Sequence, residues 1–234
     1  MIDPEASGFE EICQSFTWQI PASFNIAAAV CDRHRAVSHR PALFCETASG
    51  VTTQYSFADL YRLSNQLANV FLSKGISSGD RIAILLPQRV ETGLCHLAAW
   101  KIGAVSLPLS VLFGTDALRY RLEDSGAKIV VGATEGLEKI HSVRDELPEL
   151  ETIVNCDDVK NGFWPLLDRA ANNIETTGTL ADDPAIVIYT SGTTGPPKGA
   201  VLAHRCLLGN LTGFEMSQNF FPCENDLMWT PADW

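Results

Sequence analysis

Residues 185–203 read Ala185-Ile186-Val187-Ile188-Tyr189-Thr190-Ser191-Gly192-Thr193-Thr194-Gly195-Pro196-Pro197-Lys198-Gly199-Ala200-Val201-Leu202-Ala203. One apolar run enters and another leaves. The segment between them holds hydroxyls, glycines, prolines and one lysine, and no carboxylate. The pattern predicts a loop between two buried strands. Each residue type in the loop has a use if the ligand is a polyphosphate. Gly192, Gly195 and Gly199 let backbone N–H groups approach an anion with no Cβ in the way, and successive inward N–H groups form an anion-binding nest. The hydroxyls of Thr190, Ser191, Thr193 and Thr194 can donate to phosphate oxygens. Lys198 adds a mobile point charge. Pro196 and Pro197 fix φ and lower the entropy lost when the loop orders.

The loop is not of the Walker A type, which needs G-x-x-x-x-G-K-[ST] running into a helix. Here Gly192 and Gly195 are three apart and Lys198 is followed by Gly199. The plainer alternative is a polar hairpin turn, which needs only one or two such residues. The unbroken run from Thr190 to Gly199 is much longer than that.

The 234-residue chain is 46% apolar, enough to bury a substantial core, and carries a net charge of −11. That charge argues against a nucleic-acid or anionic-membrane surface. It also means that an anionic substrate must be held by local donors against the global field. The seven cysteines are scattered without a C-x-x-C pair, so they read as buried or free thiols, not as a disulfide framework or zinc site. Residues 1–11 lack a basic n-region and an apolar h-region, no apolar run approaches the length of a membrane span, and the cytoplasm is the default location.

Along the chain, residues 1–20 read as a partly extended arm. A helical pattern runs from Phe24 to about His39. Pro41–Glu46 and Thr52–Tyr55 form a hairpin across Ser49-Gly50, and Ser56 with Asp59 makes a capping box for a helix that stops near Gly75. Strand and helix then alternate: strands at 81–86, 104–109, 128–131 and 152–154, and helices at 90–101, 116–124, 135–147 and 164–171. Almost wholly apolar strands in such an alternation predict an α/β fold with a mostly parallel, helix-covered sheet. A polar connection over 173–184 leads to the loop. A helix from His204 to about Gln218 and a strand starting at Asp226–Thr230 follow. The chain divides into 1–75 (arm, helices and hairpin), 76–172 (α/β core) and 173–234 (loop region).

The stretch from Tyr189 to Gly199 resembles the phosphate-binding signature of the adenylate-forming superfamily: acyl-CoA synthetases, firefly luciferase and peptide-synthetase adenylation domains. It matches the pattern aromatic-T/S-S-G-T/S-T-G-x-P-K-G throughout. Gly103–Leu109 with Tyr120–Lys128, and Phe24–Ala27 with Asp32-Arg33-His34, look like regions of the acetyl- and medium-chain acyl-CoA synthetase branch. The resemblance implies a partial N-terminal domain of the adenylate-forming fold. It implies ATP-dependent activation of a small or medium-chain carboxylic acid to acyl-AMP, with transfer to CoA. It further implies nucleotide binding by Thr190, Ser191, Gly192, Thr193, Thr194, Gly195 and Lys198, a catalytic role for Lys198, and Mg2+ arriving with the nucleotide.

Trp229, Asp233 and Trp234 fall in a segment that borders the acyl pocket in that branch, although Trp234 follows Asp233 directly, which departs from the T/P-A-D-x-G-W-like pattern. The downstream adenine, ribose and catalytic-lysine motifs are not in these 234 residues, so the chain is expected to be a truncated N-terminal part, inactive alone. Two alternatives stay open: an adenylation domain that loads a carrier protein, and a non-catalytic nucleotide-binding or interaction fragment. His204 is read as a helix-start residue ahead of a catalytic base, Cys206 as no nucleophile, and Arg144-Asp145-Glu146 as a solvated helix face. The other histidines share no metal-binding spacing.

Overall fold

The computed structural model describes residues 8–37, 39–47, 49–190, 195–223 and 226–230. Helix α1 (Phe9–Ser15) buries no residue. Helix α2 (Ile26–Val30) is capped by Asn25, whose Oδ1 accepts from the N–H of Ala27 at 2.9 Å and whose Nδ2 donates to the Trp100 carbonyl at 2.8 Å. A 3₁₀ turn, Asp32–Val37, follows. Strands β1 (Pro41–Glu46) and β2 (Thr52–Ser56) form the expected antiparallel hairpin. The Ser56–Asp59 capping box is present: Asp59 N–H donates to Ser56 Oγ at 3.2 Å, and Ser56 N–H donates to Asp59 Oδ2 at 3.0 Å. It opens α3 (Phe57–Ser73).

The alternation then runs β3 (Arg81–Leu85), α4 (Val90–Lys101), β4 (Val105–Pro108), α5 (Thr115–Ser125), β5 (Ile129–Gly132), α6 (Thr134–His141), β6 (Thr152–Asn155), α7 (Phe163–Asp168), β7 (Pro184–Thr190), β8 (Lys198–Ala203) and α8 (Cys206–Ser217). One six-stranded sheet holds β6-β5-β3-β4-β7-β8 in that order. The first five are parallel, and β8 runs antiparallel to β7 at the edge. Because side chains alternate along a strand, Ile82 and Ile84 of β3 join one core with Leu67, Leu94 and Phe163 of α3, α4 and α7. Ala83 and Leu85 join a second core with Leu118, Leu122, Leu137 and Ile140 of α5 and α6. Burial on both faces is the reason these strands read as continuous apolar runs.

Four expectations are corrected. The helix over 135–147 ends at His141, because Val143 leaves the helical region at φ −123° and its side chain packs into the second core. Arg144 is not part of a solvated face: its guanidinium donates to the carbonyls of Leu147 and Leu150 and fastens the turn. Asp226–Thr230 is irregular chain, not a strand. Finally, of the two strands flanking the loop β7 alone contains fully buried residues, Ala185 and Val187. Residues 198–201 of β8 are exposed, since β8 is the sheet edge.

Candidate phosphate-loop site

The two apolar runs quoted above pair directly, with Tyr189 opposite Gly199 and Thr190 opposite Lys198. Thr190 and Lys198 are both exposed and form the last pair of the ladder before the loop. Among the described residues Lys198 makes no ion pair, so its charge is open to an anion. A Cβ at position 199 would stand 3.0 Å from Val187 Cγ1 and 3.2 Å from Tyr189 Cζ. The tyrosine ring therefore lies across the glycine, an arrangement in which an aromatic side chain shields a glycine on a sheet edge. Gly195 has φ +86°, a left-handed conformation that other residues adopt only at a cost.

Helix α5 holds this hairpin on both sides of the loop. The Tyr120 hydroxyl donates to the Pro197 carbonyl at 3.0 Å, and the Tyr189 hydroxyl donates to Asp124 Oδ2 at 2.5 Å. The rings of Tyr120 and Tyr189 meet edge to face, 6.4 Å apart. Burial, and then the bond to Asp124, push the Tyr189 phenol above its ordinary pKa, so it stays a proton donor. Beside Tyr189 lies the buried Arg121, its Cζ 4.1 Å from the centre of the Phe113 ring and 5.5 Å from that of the Tyr189 ring, with Nη1 donating to the Ala117 carbonyl. In the sequence, Tyr120 and Asp124 are marked only by their place in the stretch Tyr120–Lys128 that resembles the family. The available signal was their spacing of four, which puts both on one helix face.

Ser191, Gly192, Thr193, Thr194, Asp233 and Trp234 lie outside the described residues. Thr190, Gly195 and Lys198 belong to one hairpin, whereas Trp229 stands elsewhere. It is 82% exposed and lines a cavity of about 580 Å³ with Phe44, Cys45 and Glu46 of β1, and with Gln88 and Met228. None of Thr190, Gly195 and Lys198 lines that cavity. A second, almost wholly apolar cavity of about 370 Å³ lies among Leu43, Leu60, Val90, Leu97, Trp100 and Ile186, with His96 as its titratable member.

His204 is wholly buried, and its Nδ1 accepts from the Ile26 N–H at 3.2 Å. The ring is therefore neutral, with its proton on Nε2, and burial lowers its pKa. It fastens α2 to the end of β8, two residues before α8 begins. Burial raises the Cys206 thiol, pushes Cys31 up to about 11 and raises Cys95, so none of these is an activated thiolate. All seven cysteines are free. Among the described residues no three His, Cys, Asp or Glu side chains gather as metal ligands. No described helix is long and apolar enough to cross a membrane.

Residues 31–234 match the family described as AMP-binding enzyme. An acetyl-coenzyme A synthetase of Chromobacterium violaceum is 30% identical over 243 residues, covering 93% of this chain and 36% of that protein. The mitochondrial acyl-coenzyme A synthetase ACSM2 of Rattus norvegicus is 29% identical, covering 92% of this chain and 39% of that protein. Among solved structures, an acyl-CoA synthetase of Brucella canis superposes with a TM-score of 0.80 at 27% identity, covering 93% of this chain and 40% of that one. The chain thus spans a little over a third of the length of the curated relatives it matches. With the loop signature, the parallel helix-covered sheet and these matches in agreement, the chain belongs to the AMP-binding enzyme family, which it shares with the acetyl- and acyl-coenzyme A synthetases named above.

Proposed function

We propose that this region supplies the phosphate-binding wall of an AMP-forming acid–CoA ligase. The substrate carboxylate attacks the α-phosphorus of ATP, the bond to the β-phosphate oxygen breaks, and acyl-AMP and pyrophosphate form. The CoA thiol then attacks the acyl carbon, AMP leaves with the C–O electron pair, and the thiol proton passes to solvent. The nucleophile in the first step belongs to the substrate, so the protein's task is to position two anions and spread the developing charge. The observation that carries this reading is the exposed Lys198, which makes no ion pair among the described residues, opposite Thr190 at the lip of a hairpin with an adenylate-forming signature. Lys198 holds the departing pyrophosphate, and the Thr190 hydroxyl and the backbone around Gly195 serve the same phosphates. Ser191, Gly192, Thr193 and Thr194 complete that set by resemblance.

In this reading Mg2+ would arrive with the nucleotide and would help to neutralise the charge of its phosphates. Trp229, Asp233 and Trp234 border the acid. Trp229 is the one of these with a described position, on the cavity beside β1. The seven free thiols support a reducing compartment, for which we take the cytoplasm. The test is Lys198→Ala in the full-length protein, followed by ATP–pyrophosphate exchange with short and medium-chain acids. A charge-assisted phosphate contact is worth about 1.5–3 kcal/mol, which corresponds to roughly ten- to a hundredfold in rate. An unchanged exchange rate removes Lys198 from the reaction.

A further inference from the structure

We propose that Tyr120 and Asp124 are positioning residues that clamp the phosphate-loop hairpin from outside the signature and set where Lys198 stands. The proposal rests on the function just given. Both residues sit on α5, four apart, and each grips a different rail of the hairpin. Asp124 accepts from the hydroxyl of Tyr189, on the strand that enters the loop. Tyr120 donates to the carbonyl of Pro197, next to Lys198 on the strand that leaves it. The two bonds span sequence separations of 65 and 77 residues, so they are tertiary ties.

The hairpin has need of such ties. Its outer strand is a sheet edge whose residues 198–201 are exposed, and no residue of α8, which follows it, is buried. Toward β4, the paired residues of β7 are Ile186 with Ser106, near the far end of the strand from the loop. At the loop end, α5 supplies the two named side-chain anchors. A proline carbonyl is a suitable grip, because Pro197 has no N–H and its φ is fixed by the ring. Holding that carbonyl restrains the peptide bond that leads into Lys198. The edge-to-face contact of Tyr120 with Tyr189 joins the two grips into one unit.

The test uses Tyr120→Phe, Asp124→Ala and Asp124→Asn in the full-length protein, with two readouts. The first is amide hydrogen exchange over residues 184–203 without ligand, set against exchange in β3 and β5. Tyr120→Phe and Asp124→Ala are expected to speed exchange in the hairpin about tenfold while β3 and β5 stay within twofold. Asp124→Asn keeps a carbonyl acceptor for the Tyr189 hydroxyl and is expected to restore the slow rate. The second readout is the Kd for MgATP, expected to rise about five- to tenfold in the two disrupting variants and to return in Asp124→Asn.

Unchanged hairpin exchange, or exchange that rises equally throughout the sheet, overturns the clamp. Faster hairpin exchange with an unchanged Kd overturns the positioning role. If the unsubstituted protein does not bind MgATP, the function proposed above falls and the positioning role falls with it. The exchange readout still decides whether the clamp exists.

Discussion

Lys101 Nζ lies 2.7 Å from Asp32 Oδ1 and 2.6 Å from Asn65 Oδ1, and no part of the lysine side chain is exposed. The ammonium also sits 4.4 Å from the centre of the Tyr61 ring, and the Thr176 hydroxyl donates to the other Asp32 oxygen at 2.6 Å. One buried charge thus ties together the turn after α2, helices α3 and α4, and the segment leading to β7. Removing one partner of such a pair leaves an uncompensated buried charge, at a cost of about 3–5 kcal/mol, whereas replacing both with apolar residues of similar size is often near neutral. Asp32→Ala is therefore expected to lower the urea midpoint sharply, and the double replacement Asp32→Leu/Lys101→Met to recover most of it. Equal midpoints for Asp32→Ala and the parent would show that the pair does not stabilise the fold.

The pH dependence of stability has a definite sign. His204 is buried as a neutral ring that accepts from Ile26, and its pKa lies below the ordinary 6.5. The unfolded chain therefore binds the proton more readily. The stability due to neutral His204 is complete above pH 6.5 and falls as pH drops below that value. His34, lowered by burial and by Arg33 and Arg40, acts in the same direction. Denaturation at pH 7.5 and 5.5 is expected to show a loss on acidification that shrinks in His204→Gln. Asp59 and Asp157 act in a different window. Hydrogen bonds from Ser56 and from the Thr134 N–H hold them below 3.8, so their contribution is present above that pH and is lost only in stronger acid.

Gly162 has backbone on two sides. A Cβ there would stand 2.1 Å from the Asn155 carbonyl oxygen and 2.5 Å from that of Asp158. Main chain yields less readily than the end of a side chain, so Gly162→Ala must shift the entry to α7. We expect a loss at or above the upper end of overpacking costs, about 3 kcal/mol, read as a lower Tm. Gly178→Ala, at a position with nothing within 4 Å of the new Cβ, is the control.

Ser56→Ala removes the side-chain acceptor for the Asp59 N–H and leaves half of the capping box. The expected cost is about 1 kcal/mol, measurable by denaturant titration. Because α3 packs on the first core, the loss should appear as one cooperative transition and not as local fraying.

The hairpin at Pro41–Glu46, helix Val90–Lys101 and the capping box were legible because local signals decide them: alternation, helical period and a three-residue side-chain bond. The break after His141 was not legible. Residues 142–147 retain a helical pattern, and the break shows only in the burial of Val143 and the backbone bonds of Arg144. Asp226–Thr230 carries strand-forming side chains, but a strand also needs a ladder partner, and composition cannot supply one. At the candidate site the two strands that flank the loop were legible in their apolar runs. Their anchoring to α5 depends on contacts across 65 and 77 residues and became visible only in three dimensions.

The Tyr189 ring lying over Gly199 has a consequence for which side of the sheet receives positive charge. Neighbouring residues on a strand face opposite ways, so a slip of one residue turns a whole strand over. Were β8 to slip in either direction, Lys198 or Ala200 would come opposite Tyr189, and either would thrust a Cβ into the space the ring fills. The missing side chain at 199 acts as a keyway that admits a single alignment. In that alignment the ammonium of the adjacent lysine has one address.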